Sequence, residues 1–149
     1  MLPAGEAQLF LAMKRYDLAH AMTVAGRLRD DPLLVKVALL HDAGKLSSDL
    51  GLFVRWLYTM LEILRPQKLQ AMAQEVDIMA VGRRPIERAG SLSGAWKRGL
   101  YTQTHHGEIA AELLSGLGSE EEIIQLVARH QEEPSSARSR RLREVDDRF

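Results

Sequence analysis

Pro32-Leu33-Leu34-Val35-Lys36-Val37-Ala38-Leu39-Leu40-His41-Asp42-Ala43-Gly44-Lys45 is the most informative run in the chain. Pro32 suits the first turn of a helix, where its missing N–H costs nothing and its fixed φ is already helical. Behind it, apolar residues three and four apart form two adjoining rows, Leu34-Val37-Ala38-His41 and Val35-Ala38-Leu39-Asp42. A face that faces a core therefore ends in an imidazole and a carboxylate. Gly44 supplies a natural end or kink.

Outward from this run, helical periodicity recurs about five or six times, and nowhere do β-branched and aromatic residues alternate for more than a few positions. A first helix is expected from about Glu6 to Leu28, stopped by Arg29-Asp30-Asp31-Pro32. Others are expected over about Gly51 to Leu64 and Gln67 to Ala80, separated by Pro66. Further helices should cover Thr104 to Leu117, Ser119 to His130 with Ser119 as N-cap, and Ser136 to Phe149. Glu120, Glu121 and Glu122 fit the positive end of a helix dipole. Between Val81 and Gln103 the pattern dissolves into glycines, serines and Pro85, which predicts one long irregular loop. No internal repeat and no dividing linker is evident. The expectation is all-α, a single-domain bundle of about five to seven helices.

The chain has 149 residues, 46% hydrophobic and 27% charged, with a mean hydropathy of −0.18. That composition excludes disordered, collagen-like and low-complexity classes. Lys+Arg and Asp+Glu both number 20, so zero formal charge gives no overall basic footprint, and duplex nucleic acid is not expected as a partner. The absence of cysteine excludes disulfides, thiolate catalysis and zinc fingers. The first ten residues lack the basic region of a signal peptide, and Leu50 to Leu64, broken by Arg55 and Glu62, is too short to span a bilayer. A cytoplasmic protein without membrane contact is expected.

The five histidines separate by helix face. His20 continues Met13, Tyr16, His20, Val24; His41 ends its apolar row; His106 opens Ile109, Ala110, Leu113, Leu117; His130 closes Ile123, Leu126, Val127. His105 shares its face with Glu108 and Glu112 and is expected to meet solvent. In the last helix Asp146 follows Leu142 and Val145 inward, whereas Asp147 lies with Arg143. Each inward histidine alone is ordinarily a hydrogen-bonded core residue. Burying four imidazoles with two carboxylates is costly unless they share a purpose, and a cation serves all of them. Nitrogen and oxygen donors without sulfur suit a divalent ion, one or two, without choosing among Fe, Mn, Co, Ni, Zn and Mg.

These residues resemble the HD-domain metal-dependent phosphohydrolases, especially small bacterial members. The family pattern matches His20 in Leu18-Ala19-His20, the dyad in His41-Asp42-Ala43-Gly44-Lys45, and Asp146 in Glu144-Val145-Asp146. His106-Gly107-Glu108-Ile109-Ala110 and His130-Gln131-Glu132 are similar to the added histidine elements of the two-metal subset. Gly107 stands where that subset has proline, Gln131 where it has a second histidine, and no Gly-Tyr-Pro element follows. The resemblance implies metal-assisted hydrolysis of a phosphate ester or anhydride, with a nucleotide or related small phosphorylated molecule as substrate. Asp42 would bridge two cations, His20, His41 and Asp146 completing one and His106 with His130 the other. Lys45 is then read either as a point charge for a substrate phosphate or as a plain C-terminal lysine favoured by the helix dipole.

Arg83, Arg84, Arg88, Lys97 and Arg98 give the irregular stretch a basic character, read either as a guide for a polyanionic substrate or as a solvated loop. Trp96 reads as packing before base stacking. Phe53, Trp56, Leu57, Met60, Leu61 and Leu64 form a stripe read as core first and homodimer face second. Arg138, Arg140, Arg141 and Arg143 read as the wet face of the last helix. Two other functional classes share the ligand set: a non-catalytic metal- and nucleotide-binding regulatory module, and a di-iron oxygenase.

Overall fold

The computed structural model describes residues 1–47 and 52–149, with only the backbone described at 46, 47 and 52–56. It is all-α: nine α-helices and one 3₁₀ turn, without strands, among the described residues. The elements are α1 (Ala4–Leu11), α2 (Arg15–Arg27), α3 (Pro32–Leu40), a 3₁₀ turn (Ala43–Ser47), α4 (Leu52–Leu64), α5 (Pro66–Met79), α6 (Pro85–Ser91), α7 (Ala95–Gly116), α8 (Glu121–Ala128) and α9 (Ala137–Asp146). They pack as two compact units, one formed by Met1–Leu46 with His106–Phe149 and the other by Ser47–His105.

In the first unit α3 packs against α1, α2, α8 and α9. Leu34, Val37, Ala38 and Leu40 are fully buried there, joined by Val24, Leu28, Leu114, Ile123, Val127 and Leu142. Asp31 caps α3, its carboxylate accepting from the backbone N–H groups of Leu33 and Leu34 at 3.1 and 3.3 Å, and Pro32 follows at the first helical position. Those contacts satisfy two of the donors a helix start leaves open.

In the second unit α4 packs against α5. Tyr58 stacks on Trp96 with centroids 4.6 Å apart, and its hydroxyl donates to the Trp96 carbonyl. Of the α4 stripe, Phe53 and Trp56 lie outside the described side chains; Leu57, Met60 and Leu61 are half-buried and Leu64 is exposed.

Four boundaries differ from those expected. The first helix is two, broken between Leu11 and Arg15, so the buried face of α2 runs Asp17, Ala21, Val24, Ala25 and Tyr16 is exposed. The stretch predicted as one irregular loop contains α6 and the first turns of α7. Pro85 opens α6 as a first-turn proline, and the positive-φ residues Gly82 and Gly94 mark the turns before each helix. Glu120 occupies the N-cap of α8, while the Ser119 hydroxyl donates instead to Glu6 at 2.7 Å. α7 carries a break at His105 (φ −118°, ψ 17°), where the two units also divide. No helix among the described residues is long and apolar enough to cross a membrane.

Candidate metal centre

Five segments of the first unit deliver side chains to one place. His20 comes from α2, His41 and Asp42 from the end of α3, His106 from the half of α7 after its break, His130 from just beyond α8, and Asp146 from the last position of α9. Two glycines make the approach possible. A Cβ at Gly44 would collide with the His106 carbonyl oxygen and lie 2.8 Å from the Ala110 nitrogen. A Cβ at Gly107 would meet the Val127 and Ala128 carbonyls at 2.9 and 3.0 Å and His130 Nδ1 at 3.1 Å. Backbone-to-backbone contact this close tolerates no side chain.

His20 Nε2 donates to Asp146 Oδ1 at 2.8 Å, and His41 Nε2 lies 3.2 Å from the same oxygen. His41 Nε2 also lies 3.7 Å from Asp42 Oδ1. That oxygen is 3.2 Å from His106 Nε2 and 2.6 Å from the Lys45 ammonium. His106 Nε2 and His130 Nε2 are 3.1 Å apart. Nδ1 of His41 donates to the Ala38 carbonyl and Nδ1 of His130 to the Val127 carbonyl, both at 2.8 Å. These backbone bonds fix both rings and turn each Nε2 toward the cluster. Asp42 and His41 are buried, while His20 and Asp146 are half-buried.

The charges are strongly coupled. Burial raises the Asp42 carboxyl, but His41, His106 and Lys45 outweigh it and hold the group well below the usual carboxylate range. Asp146 behaves alike: burial opposes, His20 and His41 prevail, and the carboxyl titrates far below its ordinary value. His41 moves upward, because Asp42 and Asp146 overcome the burial that disfavours its cation. Burial, reinforced by His41 and His106, pushes His130 down to about 3, so its Nε2 presents a lone pair at neutral pH.

Such a constellation suits a cation. His20, His41 and Asp146 form one group able to hold a metal, and His41, Asp42 and His130 another; in each, one donor atom per residue lies within 4.8 Å of the others. The buried Nε2 of His41 aligns a hydrogen bond with no neighbour despite its two carboxylate contacts. The His106–His130 nitrogen separation is one that two imidazoles reach on a single ion with bonds of about 2.1 Å at near-right angles.

All six residues singled out by helix face and motif are thus brought together, with Lys45 beside them. His105 is not solvent-facing. It is half-buried in the second unit, its Nε2–H donating to Asp77 Oδ1 at 2.7 Å and its ring stacked on Tyr101 at 4.4 Å. Arg83, Arg84, Arg88, Lys97 and Arg98 all belong to the second unit. Arg84 pairs with Glu87 at 2.7 Å, Arg88 donates to the Asp77 carbonyl at 3.0 Å, and Arg98 approaches the Leu92 carbonyl at 3.4 Å. Neither glycine contact was read from sequence. By local spacing Gly44 reads as a helix end or kink, and its partner His106 lies more than sixty residues away.

Arg138 and Arg141 do more than solvate α9. Arg138 binds Asp31 at 2.9 Å and Glu122 at 2.6 Å, and Arg141 binds Asp30 at 2.5 Å. With buried Leu142, these contacts hold the helix that carries Asp146. Comparison with protein-family models, curated proteins and solved structures finds no match for this chain.

Proposed function

We propose that this chain is a metal-dependent phosphohydrolase of the HD-domain type, acting on a nucleotide or a related small phosphate ester or anhydride. The observation that carries the reading is the convergence of two groups that share His41, His20–His41–Asp146 and His41–Asp42–His130, with His106 lying 3.2 Å from Asp42 and 3.1 Å from His130. When bound, one or two divalent cations would supply Lewis acidity, neutralising charge on phosphoryl oxygens and making a water nucleophilic near neutral pH.

The chain's own residues do the rest. Ala38 and Val127 hold the His41 and His130 rings by their carbonyls, so that ligand nitrogens are aimed before metal arrives. Asp42 and Asp146 stay ionised through the neutral range and provide the negative charge. Asp42 offers two oxygens, enough to reach two cations. Lys45, on a half-buried flexible stem, provides a point charge for a substrate phosphate.

The test is a screen of Mn²⁺-, Co²⁺-, Fe²⁺-, Zn²⁺- and Mg²⁺-loaded protein against nucleotides and dinucleoside polyphosphates, with phosphate and nucleotide products quantified. Metal-dependent release that vanishes in Asp42→Asn is expected. Absence of turnover with every metal would remove the proposal.

A further inference from the structure

Asp42 and Asp146 meet different neighbours, although both belong to the same cluster. Asp146 is held by two imidazoles, His20 and His41. Asp42 is held by an imidazole and by an ammonium, Lys45 Nζ lying 2.6 Å from Oδ1. This lysine cannot diffuse away: the 3₁₀ turn Ala43–Ser47 follows the dyad directly, and the Lys45 N–H donates to the Asp42 carbonyl at 3.0 Å. Asp42 is only 3% exposed, so water screens the pair poorly.

A divalent ion on Asp42 and an ammonium on the same oxygen repel each other strongly at such separations. One of them must withdraw, and Lys45, partly exposed and four carbons long, is able to swing out. His41 adds a constraint. Its Nδ1 is committed to Ala38, leaving one nitrogen, so it can serve only one of the two ligand groups to which it belongs.

Resting on the metal-centre reading, we propose that Lys45 is a built-in competitor for Asp42 Oδ1, the oxygen that also faces His106, making the cation position between that oxygen, His106 and His130 the second and weaker of two. The His20–His41–Asp146 side fills first. Arrival of the second ion frees the ammonium, which couples full metal occupancy to the availability of a cation at the cleft.

Mn²⁺ alone is titrated into the full chain and into Lys45→Gln, with free Mn²⁺ followed by electron paramagnetic resonance. Two classes of binding are expected for the unaltered chain. In Lys45→Gln the weaker class should tighten by about tenfold or more while the stronger changes little. A weaker class that is unchanged or looser in the variant overturns the proposal but leaves the metal centre standing. No Mn²⁺ bound to either protein overturns both. A measurement on the unaltered chain covers the case in which the variant does not fold. Acetylation of Lys45 by acetic anhydride, read by mass spectrometry against Lys68 on α5, should accelerate several-fold as the second equivalent binds. A constant rate across the titration overturns the proposal.

Discussion

Adjacent residues at the break in α7 have opposite surroundings: His106 faces Asp42 and His130, whereas His105 faces Asp77 and Tyr101. His106→Ala is expected to weaken metal binding about tenfold or more. His105→Ala should keep stoichiometric metal and lose about 1 kcal/mol of stability, from one partly buried pair and a ring contact. Metal content and urea midpoints for both variants check this; metal loss confined to His105→Ala would defeat it. Gly44→Ala forces a methyl into the His106 carbonyl and should cost about 3 kcal/mol, loosening metal as the dyad is pushed away. The inward residues were legible because helical spacing and motif agree on them. Projection assumes an unbroken helix and so misplaces Tyr16, which lies just beyond a break, and His105, which lies at one.

Among the elements, α9 was legible as a short helix with Leu142, Val145 and Asp146 on its inner side; Ser136, where it was expected to start, proves to be its N-cap. What holds it was not legible, since Asp31 and Asp30 lie 107 and 111 residues from their arginines. Local spacing sees exposed charge and cannot see its partner. Asp31 links two elements, capping α3 and receiving Arg138. Asp31→Ala should therefore cost about 1 kcal/mol for the cap and also loosen α9. Hydrogen exchange should quicken at Leu33 and Leu34 and across α9, and protection unchanged in α9 would show that the arginine contact is idle. Burial pushes the Asp31 carboxyl up, but Arg138 and the capping N–H groups bring it below its ordinary value of 3.8. Its contribution is thus present above about pH 4 and lost as pH falls further.

For the molecule as a whole, the all-α class was legible in periodicity, while the division into two units was not. One unit is made of two distant segments, and a boundary falls at a break inside α7, which leaves no linker composition to read. The candidate metal centre lies within the discontinuous unit, so a bound ion would tie α2, α3, α7, α8 and α9 together. A cation present at about 100 times its dissociation constant adds roughly 2.7 kcal/mol, or about 10 °C in Tm for a chain of this length. The size of that gain should depend on pH. In chelated protein Asp42 and Asp146 titrate below 3.8, and their contribution disappears as pH falls through those lowered values. His41 titrates above 6.5, so its contribution is complete below 6.5 and lost as pH rises through the raised value. His130, pushed down to about 3, acts in the opposite sense: it costs nothing above its unfolded value near 6.5 and destabilises the chain increasingly as pH falls below it. Chelated protein should then be most stable near pH 6.5 and lose Tm on either side. Metal requires the neutral imidazole, so its affinity rises over the same interval. The Tm difference between Mn²⁺-loaded and chelated protein is therefore expected to widen steadily from pH 6 to pH 8.5. A difference that stays constant across that range would mean that the His41 proton and the metal do not compete for one nitrogen.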